Sequence, residues 1–333
     1  MPNRPPILVL DGDERASLAV TRSLLRAGYP VHVTAGRTRS LAGVTRGAKA
    51  EVLAARPLDA PERYAQEAGT LAGRLGVALV VPVTDASAEA VVGNAALLPA
   101  GVRLPFAPYA TYREASDKVR VHALALESGI GIAETAIVRA KGDAVPSDSA
   151  LYPGYLKPHR SVVGAGQRQK TGVQFVADAA ACAQALEALH SDAFPVMIQR
   201  RVHGAGEGIF VARWGGRTIA RFAHRRLREK PPAGGVSVYC ESIAADAVAL
   251  AGCERLLDAL GWEGVAMIEG KRDDERGGWR VMEINGRFWG SLQLAIEAGV
   301  DFPALLVGAV LGDPPVPVPE WREGVRLRWE WGE

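Results

Sequence analysis

The chain has 333 residues, of which 48% are hydrophobic and 23% charged, and its formal net charge is +2. That length calls for two or three packed lobes, and the near-neutral balance excludes a nucleic-acid footprint or a polybasic membrane anchor. Cys182, Cys240 and Cys253 form no CxxC pair and the six histidines show no HxxxH spacing, so reduced thiols and no zinc site are expected. The N-terminus lacks a basic-then-apolar signal pattern. No apolar run approaches the roughly 18 residues that span a membrane, and a soluble cytoplasmic protein is the expectation.

Residues 7–10 are a short β-prone run ended by Asp11-Gly12-Asp13. Residues 14–27 read as an amphipathic helix with Leu18, Leu24 and Leu25 inward, stopped by Gly28 before a second strand over 31–33. Strand, helix, strand at this spacing predicts a right-handed βαβ unit. A helix over 62–75 and a strand over 78–83 continue it into a small open α/β sheet. A dinucleotide site there would need GxGxxG in the first turn. This turn offers one glycine and three acids, Asp11, Asp13 and Glu14, which repel a pyrophosphate. Dehydrogenase chemistry is therefore set aside.

The proline-bounded stretch 104–108 marks a domain boundary. Ser116 is placed as N-cap of a helix carrying Lys118, with Val119, Ala123 and Leu126 on one face and Gly129 as terminator. Beyond residue 150, short β-like runs alternate with glycine-rich turns, and helices interrupt them over 177–189 and 247–260. Near the last residue Val325, Leu327, Trp329 and Trp331 alternate as a strand, the pattern of a chain cut from a longer parent.

The sharpest local signal lies between residues 264 and 285. Two apolar-rich runs flank the polar turn Asp273-Asp274-Glu275-Arg276-Gly277-Gly278, which predicts an antiparallel hairpin. A turn centred on Arg276 sets Glu269 opposite Glu283, and Asn285 shares the face of Glu283. A half-residue shift would separate the two acids. Opposed, bare carboxylates about 4.5–5.5 Å apart repel, and a divalent cation removes that repulsion. Mg²⁺ takes oxygen ligands completed by phosphates and water, and Glu269, Glu283 and Asn285 supply such a set, with Mn²⁺ as a substitute. The competing reading is a solvated face with incidental acids. Arg287, just beyond, is placed to neutralise phosphoryl or carboxylate oxygens.

Other segments suit a nucleotide. Lys118 opens a helix, where ammonium and helix N-terminus act on one anion. Lys157 ends an apolar strand and reaches a second phosphate. The small-residue loop 161–167, containing Gly164 and Gly166, can donate backbone N–H groups to a triphosphate. The strand ending in Gln199, Arg200, Arg201 and Val202 offers a linker backbone to adenine, with Glu207 on the ribose. The basic run 224–228 collects the phosphoryl and a substrate carboxylate, with Arg226 assigned to that work. Each feature alone has an ordinary structural reading.

In order, Asp117-Lys118, Lys157-Pro158 with its glycine loop, Gln199 to Val202, Glu269, and Glu283-Ile284-Asn285-Gly286-Arg287 resemble the ATP-grasp superfamily, in the branch related to carbamoyl-phosphate synthase and biotin carboxylase. The resemblance spans roughly residues 1–310. It implies an α/β and α+β architecture: an N-terminal open α/β domain (1–108), then a two-lobed ATP-grasp fold (109–195 and 196–333). It further implies phosphates on Lys118 and Lys157, an adenine hinge at Gln199, Arg200, Arg201 and Val202, Mg²⁺ on Glu269, Glu283 and Asn285, Arg287 on the transferring phosphoryl, and a lid around Gly164 and Gly166. The family commonly has a glutamate after the hinge glutamine, where this chain has Arg200. The implied activity is an ADP-forming ligase that activates a carboxylate as an acyl phosphate for an amine. Phosphorylation of bicarbonate or carbamate, and a non-catalytic ATP-binding module, stand as alternatives. The expected partners are small-molecule carboxylate and amine substrates, with a homodimer as the expected assembly.

Overall fold

A computed structural model describes residues 4–164, 169–231 and 235–330. The first lobe contains β1 (Ile7–Val9), α1 (Arg15–Arg26), β2 (Val31–Ala35), β3 (Lys49–Val52), α2 (Pro61–Leu75), β4 (Leu79–Val81) and α3 (Asp85–Gly93). Its strands form a parallel sheet in the order β3-β2-β1-β4. Along β1, Ile7 and Val9 enter one core while Leu8 and Leu10 enter another, so both faces are covered, as a parallel sheet requires.

The chain continues through α4 (Tyr109–Ala115), α5 (Lys118–Glu127), β5 (Thr135–Val138), β6 (Gly154–Pro158), β7 (Val162–Val163), β8 (Gln169–Lys170), β9 (Gln174–Val176), α6 (Ala179–Ala188) and β10 (Val196–Arg200). These give a four-stranded antiparallel sheet, β5-β10-β6-β9. Leu156, Val196 and Ile198 pack with Cys182 and Leu186 of α6. By the two-residue period of a strand, Tyr155, Lys157, Met197 and Gln199 lie on the opposite face. Strand β10 therefore belongs to this middle sheet, although it lies beyond the boundary expected at 195. The reason is pairing: β10 is hydrogen-bonded to both β5 and β6.

The third region comprises β11 (Gly206–Trp214), β12 (Arg217–Lys230), β13 (Val236–Ser242), α7 (Ala247–Ala259), β14 (Gly264–Arg272), β15 (Trp279–Asn285), α8 (Leu292–Ala298), α9 (Phe302–Leu311) and β16 (Arg326–Arg328). Its sheet order is β15-β14-β11-β12-β13-β16. One face (Phe210, Phe222, Met267) shares a continuous core with β1, α1, α8 and α9. The other face (Ile209, Val211, Ile268, Val281) packs on Val121, Leu124, Leu256 and Leu257 of α5 and α7. No single helix among the described residues is long and apolar enough to cross a membrane. The apolar pair α8 and α9 is bent by 89° and packed in the core.

Two local expectations are corrected. Asp117, not Ser116, caps α5, accepting from the amides of Val119 and Arg120, while Ser116 Oγ donates to the Tyr112 carbonyl. The inward face of α5 carries Lys118, Val121, His122 and Ala125, whereas Ala123 and Leu126 are exposed. Adjacent residues of equal capping power leave the helix start ambiguous by one position, and that one position rotates the face.

Candidate active site

The β14–β15 hairpin sets the geometry. Next to its turn the pairs are Arg272 with Trp279, Lys271 with Arg280 and Gly270 with Val281. Continued unchanged, that register would put Glu269 opposite Met282. A bulge intervenes, and Glu269 faces Glu283, Ile268 faces Ile284 and Met267 faces Asn285. Asn285 lies on the face of Glu283, to which its Nδ2 donates at 3.2 Å.

Cations meet both acids. Lys118 Nζ lies 3.1 Å from Glu283 Oε2, and Arg226 Nη2 lies 2.7 Å from Glu269 Oε2. The two carboxyls respond oppositely. For Glu283, burial favours the neutral acid, but Lys118, Lys157 and the Asn285 amide outweigh it and hold the group at about 2. For Glu269, burial dominates, aided by the Glu283 charge, and raises it despite Arg226. The two facing acids are thus pushed in opposite directions, which sets them apart from a solvated sheet face.

Lys157 is buried, and burial pulls its ammonium down to about 8. It donates to Gln199 Oε1 at 2.7 Å, and Gln199 Nε2 donates to Thr135 Oγ1 at 3.0 Å. His122 stands beneath them. Burial first, then Lys157 and Lys118, lowers its ring to about 4. The neutral ring donates from Nε2 to the Met282 carbonyl at 3.0 Å, inside the bulge, and its Nδ1 faces Gln199 Nε2 at 3.4 Å. Gln199 thus orients Lys157, and His122 ties both to the hairpin. Sequence reasoning missed His122. Its one signal is position, four residues after Lys118 on the same helix face.

Arg287 is engaged from the first lobe. Its Nε and Nη2 reach the two carboxylate oxygens of Asp85, at 3.1 and 2.9 Å, and Nη2 also donates to Asn285 Oδ1 at 3.0 Å. Asp85 opens α3 and carried no motif in the sequence. A small open cleft lies here, lined by Asp85, Glu89, Lys118, Arg160, Ser161 and Asn285 among others. Arg226 reaches Glu229 at 3.3 Å besides Glu269. Its neighbour Arg225 points to the other side of the strand and pairs with Glu241.

Some predicted residues are not brought to this cluster. Glu207 pairs in register with Gly270 whereas Gly208 pairs with Glu269, so Glu207 lies on the opposite face and instead meets Arg272 at 3.3 Å. Its expected place on a ribose is thereby corrected by strand parity. Arg200 turns its guanidinium to Glu134, Asp273 and Glu275. Arg201 lies over the Phe175 ring, 6.0 Å from its centroid, and Val202 is buried with its carbonyl near Lys271 Nζ. Gly164 follows β7, in the left-handed backbone region, while Gly166 lies outside the described residues.

The donor chemistry fits a magnesium ion. Among the described residues no group of three or more His, Cys, Asp or Glu is poised to hold a metal. Two facing glutamates with a neighbouring amide form the sparse oxygen set that Mg²⁺ shares with phosphates and water. Zn²⁺ would favour sulfur or imidazole ligands, which this set does not offer, and a Ca²⁺ cage would need more oxygens.

Two antiparallel-sheet lobes facing each other across lysines and a carboxylate hairpin, behind an open α/β lobe, make up an ATP-grasp fold. Residues 192–332 match the family described as ATP-grasp in the biosynthetic pathway with Ter operon. No curated protein matches the chain in sequence. Among solved structures, an L-amino acid ligase from Bacillus licheniformis is 15% identical with a TM-score of 0.69, over 95% of this chain and 76% of that one. N5-carboxyaminoimidazole synthetase from Staphylococcus aureus is 15% identical with a TM-score of 0.71, covering 95% and 80%. The biotin carboxylase domain of Hydrogenobacter thermophilus 2-oxoglutarate carboxylase, solved with MgADP and bicarbonate, is 15% identical with a TM-score of 0.71, covering 97% and 73%. At such identities these likenesses establish the shared fold.

Proposed function

We propose that the chain is an ADP-forming ligase that phosphorylates a carboxylate with ATP and passes the acyl group to an amine, giving an amide. The observation that carries this is the in-register pair Glu269 and Glu283 with Lys118 and Lys157 at its edge. Lys118 and Lys157 hold phosphates, and the backbone of 199–202 receives adenine. Glu269, Glu283 and Asn285 would hold Mg²⁺, which would neutralise phosphoryl charge there.

The ion pairs explain how the site accepts its ligands. With the two glutamates engaged by a cation, Lys118 and Arg226 would be free to turn from these carboxylates to phosphate oxygens. Gln199 keeps Lys157 aimed while this exchange occurs. Arg287, already in a two-point pair with Asp85, can exchange that carboxylate for the substrate's with little reorganisation. The acceptor amine then displaces phosphate from the acyl carbon. Positioning and charge do the work, and no side-chain nucleophile is required. The three buried free cysteines fit a reducing compartment, and we place the enzyme in the cytoplasm.

The test is an ADP-release screen over amino acids and other carboxylates, with hydroxylamine to trap acyl phosphate, in the presence and absence of bicarbonate. The expected result is carboxylate-dependent ADP and hydroxamate, both lost in Glu283→Gln. Bicarbonate-dependent turnover alone would point to the carboxylase-type reaction. A rise in melting temperature with Mg-ATP but no ADP from any carboxylate would overturn the ligase.

A further inference from the structure

Arg200 stands where the resembling family commonly carries a glutamate, yet its side chain takes no part in the lysine and carboxylate cluster. In β10, Lys157 pairs with Met197 and Tyr155 with Gln199, so the cluster face carries odd-numbered β10 residues and Arg200 projects from the other side. There the side chain is buried, and Nε lies 2.5 Å from Glu134 Oε2, Nη2 2.5 Å from Asp273 Oδ2 and Nη1 3.2 Å from Glu275 Oε2. A further bond from Nη1 to the Arg201 carbonyl, at 3.1 Å, engages the hinge backbone itself.

The partners come from both sides of the interlobe junction. Glu134 immediately precedes β5 of the middle sheet, and its carbonyl accepts from the Arg200 amide at 2.9 Å. Asp273 and Glu275 belong to the β14–β15 turn. Asp273 is 1% exposed, and its Oδ1 accepts the amides of Glu275 and Arg276 at 3.2 Å, so it fixes the turn while Arg200 fixes it. The linker beyond Val202 lies against the same turn: Asp274 N donates to the His203 carbonyl at 2.9 Å and Arg272 N to the Ala205 carbonyl at 3.2 Å. Gly204 between them has φ +143, and a Cβ there would fall 1.8 Å from the Arg272 carbonyl oxygen. Only glycine permits that approach.

We propose that Arg200 is a positioning residue that fastens the end of β10 to the β14–β15 turn, so that the adenine hinge and the Glu269–Glu283 pair are held as one body. This rests on the reading of 199–202 as the nucleotide hinge. Base recognition then falls to backbone groups, and the position that reads acidic in the family serves alignment between two lobes. Glu134, Asp273 and Glu275 all meet the buried Arg200 guanidinium, with Arg276 beside Glu134 and Arg280 beside Asp273, and a glutamate at 200 would set a further like charge against the three acids.

Two measurements test it, each on the whole chain, with Arg213→Met as control. Arg213 is also buried and ion-paired, to Asp258, but lies away from the junction. In hydrogen exchange without nucleotide, Arg200→Met is expected to speed exchange on the order of tenfold in both 201–205 and 273–285, while Arg213→Met leaves those segments unchanged. Faster exchange confined to the neighbourhood of residue 200, with the hairpin unchanged, overturns the fastening. By calorimetry, Arg200→Met is expected to weaken Mg-ADP and Mg-GDP by the same factor, on the order of tenfold. A changed ADP-to-GDP ratio would mean that the side chain reads the base, and an unchanged affinity would make Arg200 merely structural. Either result overturns the proposal. Should Arg200→Met fail to fold, Arg200→Lys and Glu275→Gln give the same readouts with most of the buried charge kept. If the wild type binds neither nucleotide, the ATP reading fails while the exchange experiment still decides the fastening.

Discussion

Two acidic clusters in this molecule look alike in composition and differ in how their charge is met. In the β1–α1 turn, Asp11 Oδ2 accepts from the amides of Val83 and Thr84 at 3.0 and 2.9 Å and from Ser87 Oγ at 2.5 Å. Those donors are neutral and mostly fixed in backbone, so the carboxylate is a fastening that nothing can replace. On the β14–β15 hairpin, Glu269 and Glu283 are met by Arg226 and Lys118, long side chains whose ammonium or guanidinium can turn to another anion. Acids satisfied by backbone amides build a fold, whereas acids satisfied by movable cations beside a cavity can exchange partners with a metal and a phosphate.

That contrast can be broken by mutation. Glu283→Gln is expected to cost ADP formation on the order of 10²-fold or more with little change in melting temperature, measured by coupled ADP release and calorimetric scanning. Asp11→Asn should do the reverse, lowering stability by about 1–3 kcal/mol and leaving turnover near wild type. Equal loss of activity in both variants would erase the distinction. Arg287→Lys keeps the charge but loses the two-point geometry, and a fall in kcat/KM of roughly tenfold or more is expected in steady-state kinetics.

Acid sharpens it further. His122 and His224 sit well below their usual range, at about 4 and about 3, in both cases first because of burial. The unfolded chain takes up protons on these rings near pH 6.5 while the native protein resists until those lower values. Stability therefore falls as pH drops below 6.5, by about 1.4 kcal/mol per pH unit for each ring. Urea midpoints between pH 7 and 4 should show this slope, flattened in His224→Gln. The smallest effect is expected at Asp85→Asn: Arg287 loses its two-oxygen partner, and the KM for the carboxylate should fall a few-fold, since less must be displaced. A rise in KM instead would show that Asp85 itself helps to bind substrate.

The hairpin and its facing acids were legible in the sequence because apolar alternation and a glycine-ended turn are local signals. The bulge at Met282 was not, and the pairing centred on Arg276 holds at Glu269 only because the bulge corrects a half-residue offset nearer the turn. Glu207 failed for a related reason, since one residue of strand parity decides the face. Arg200 was visible as a departure, but its partners at 134, 273 and 275 are brought together only by tertiary structure. Asp85 and His122 sit in unremarkable helical stretches, and only contacts across lobes give them a role.

The shared core has a consequence for dissecting this chain. Ile7, Val9, Val20 and Leu24 pack in one cluster with Phe210, Phe222, Trp289 and Phe302. A fragment beginning near residue 109 would bare that aromatic wall to water and lose several kcal/mol of apolar burial at about 25 cal/mol per Å². The first lobe is thus a folding partner of the last, and such a fragment should be recovered from inclusion bodies rather than from the soluble fraction.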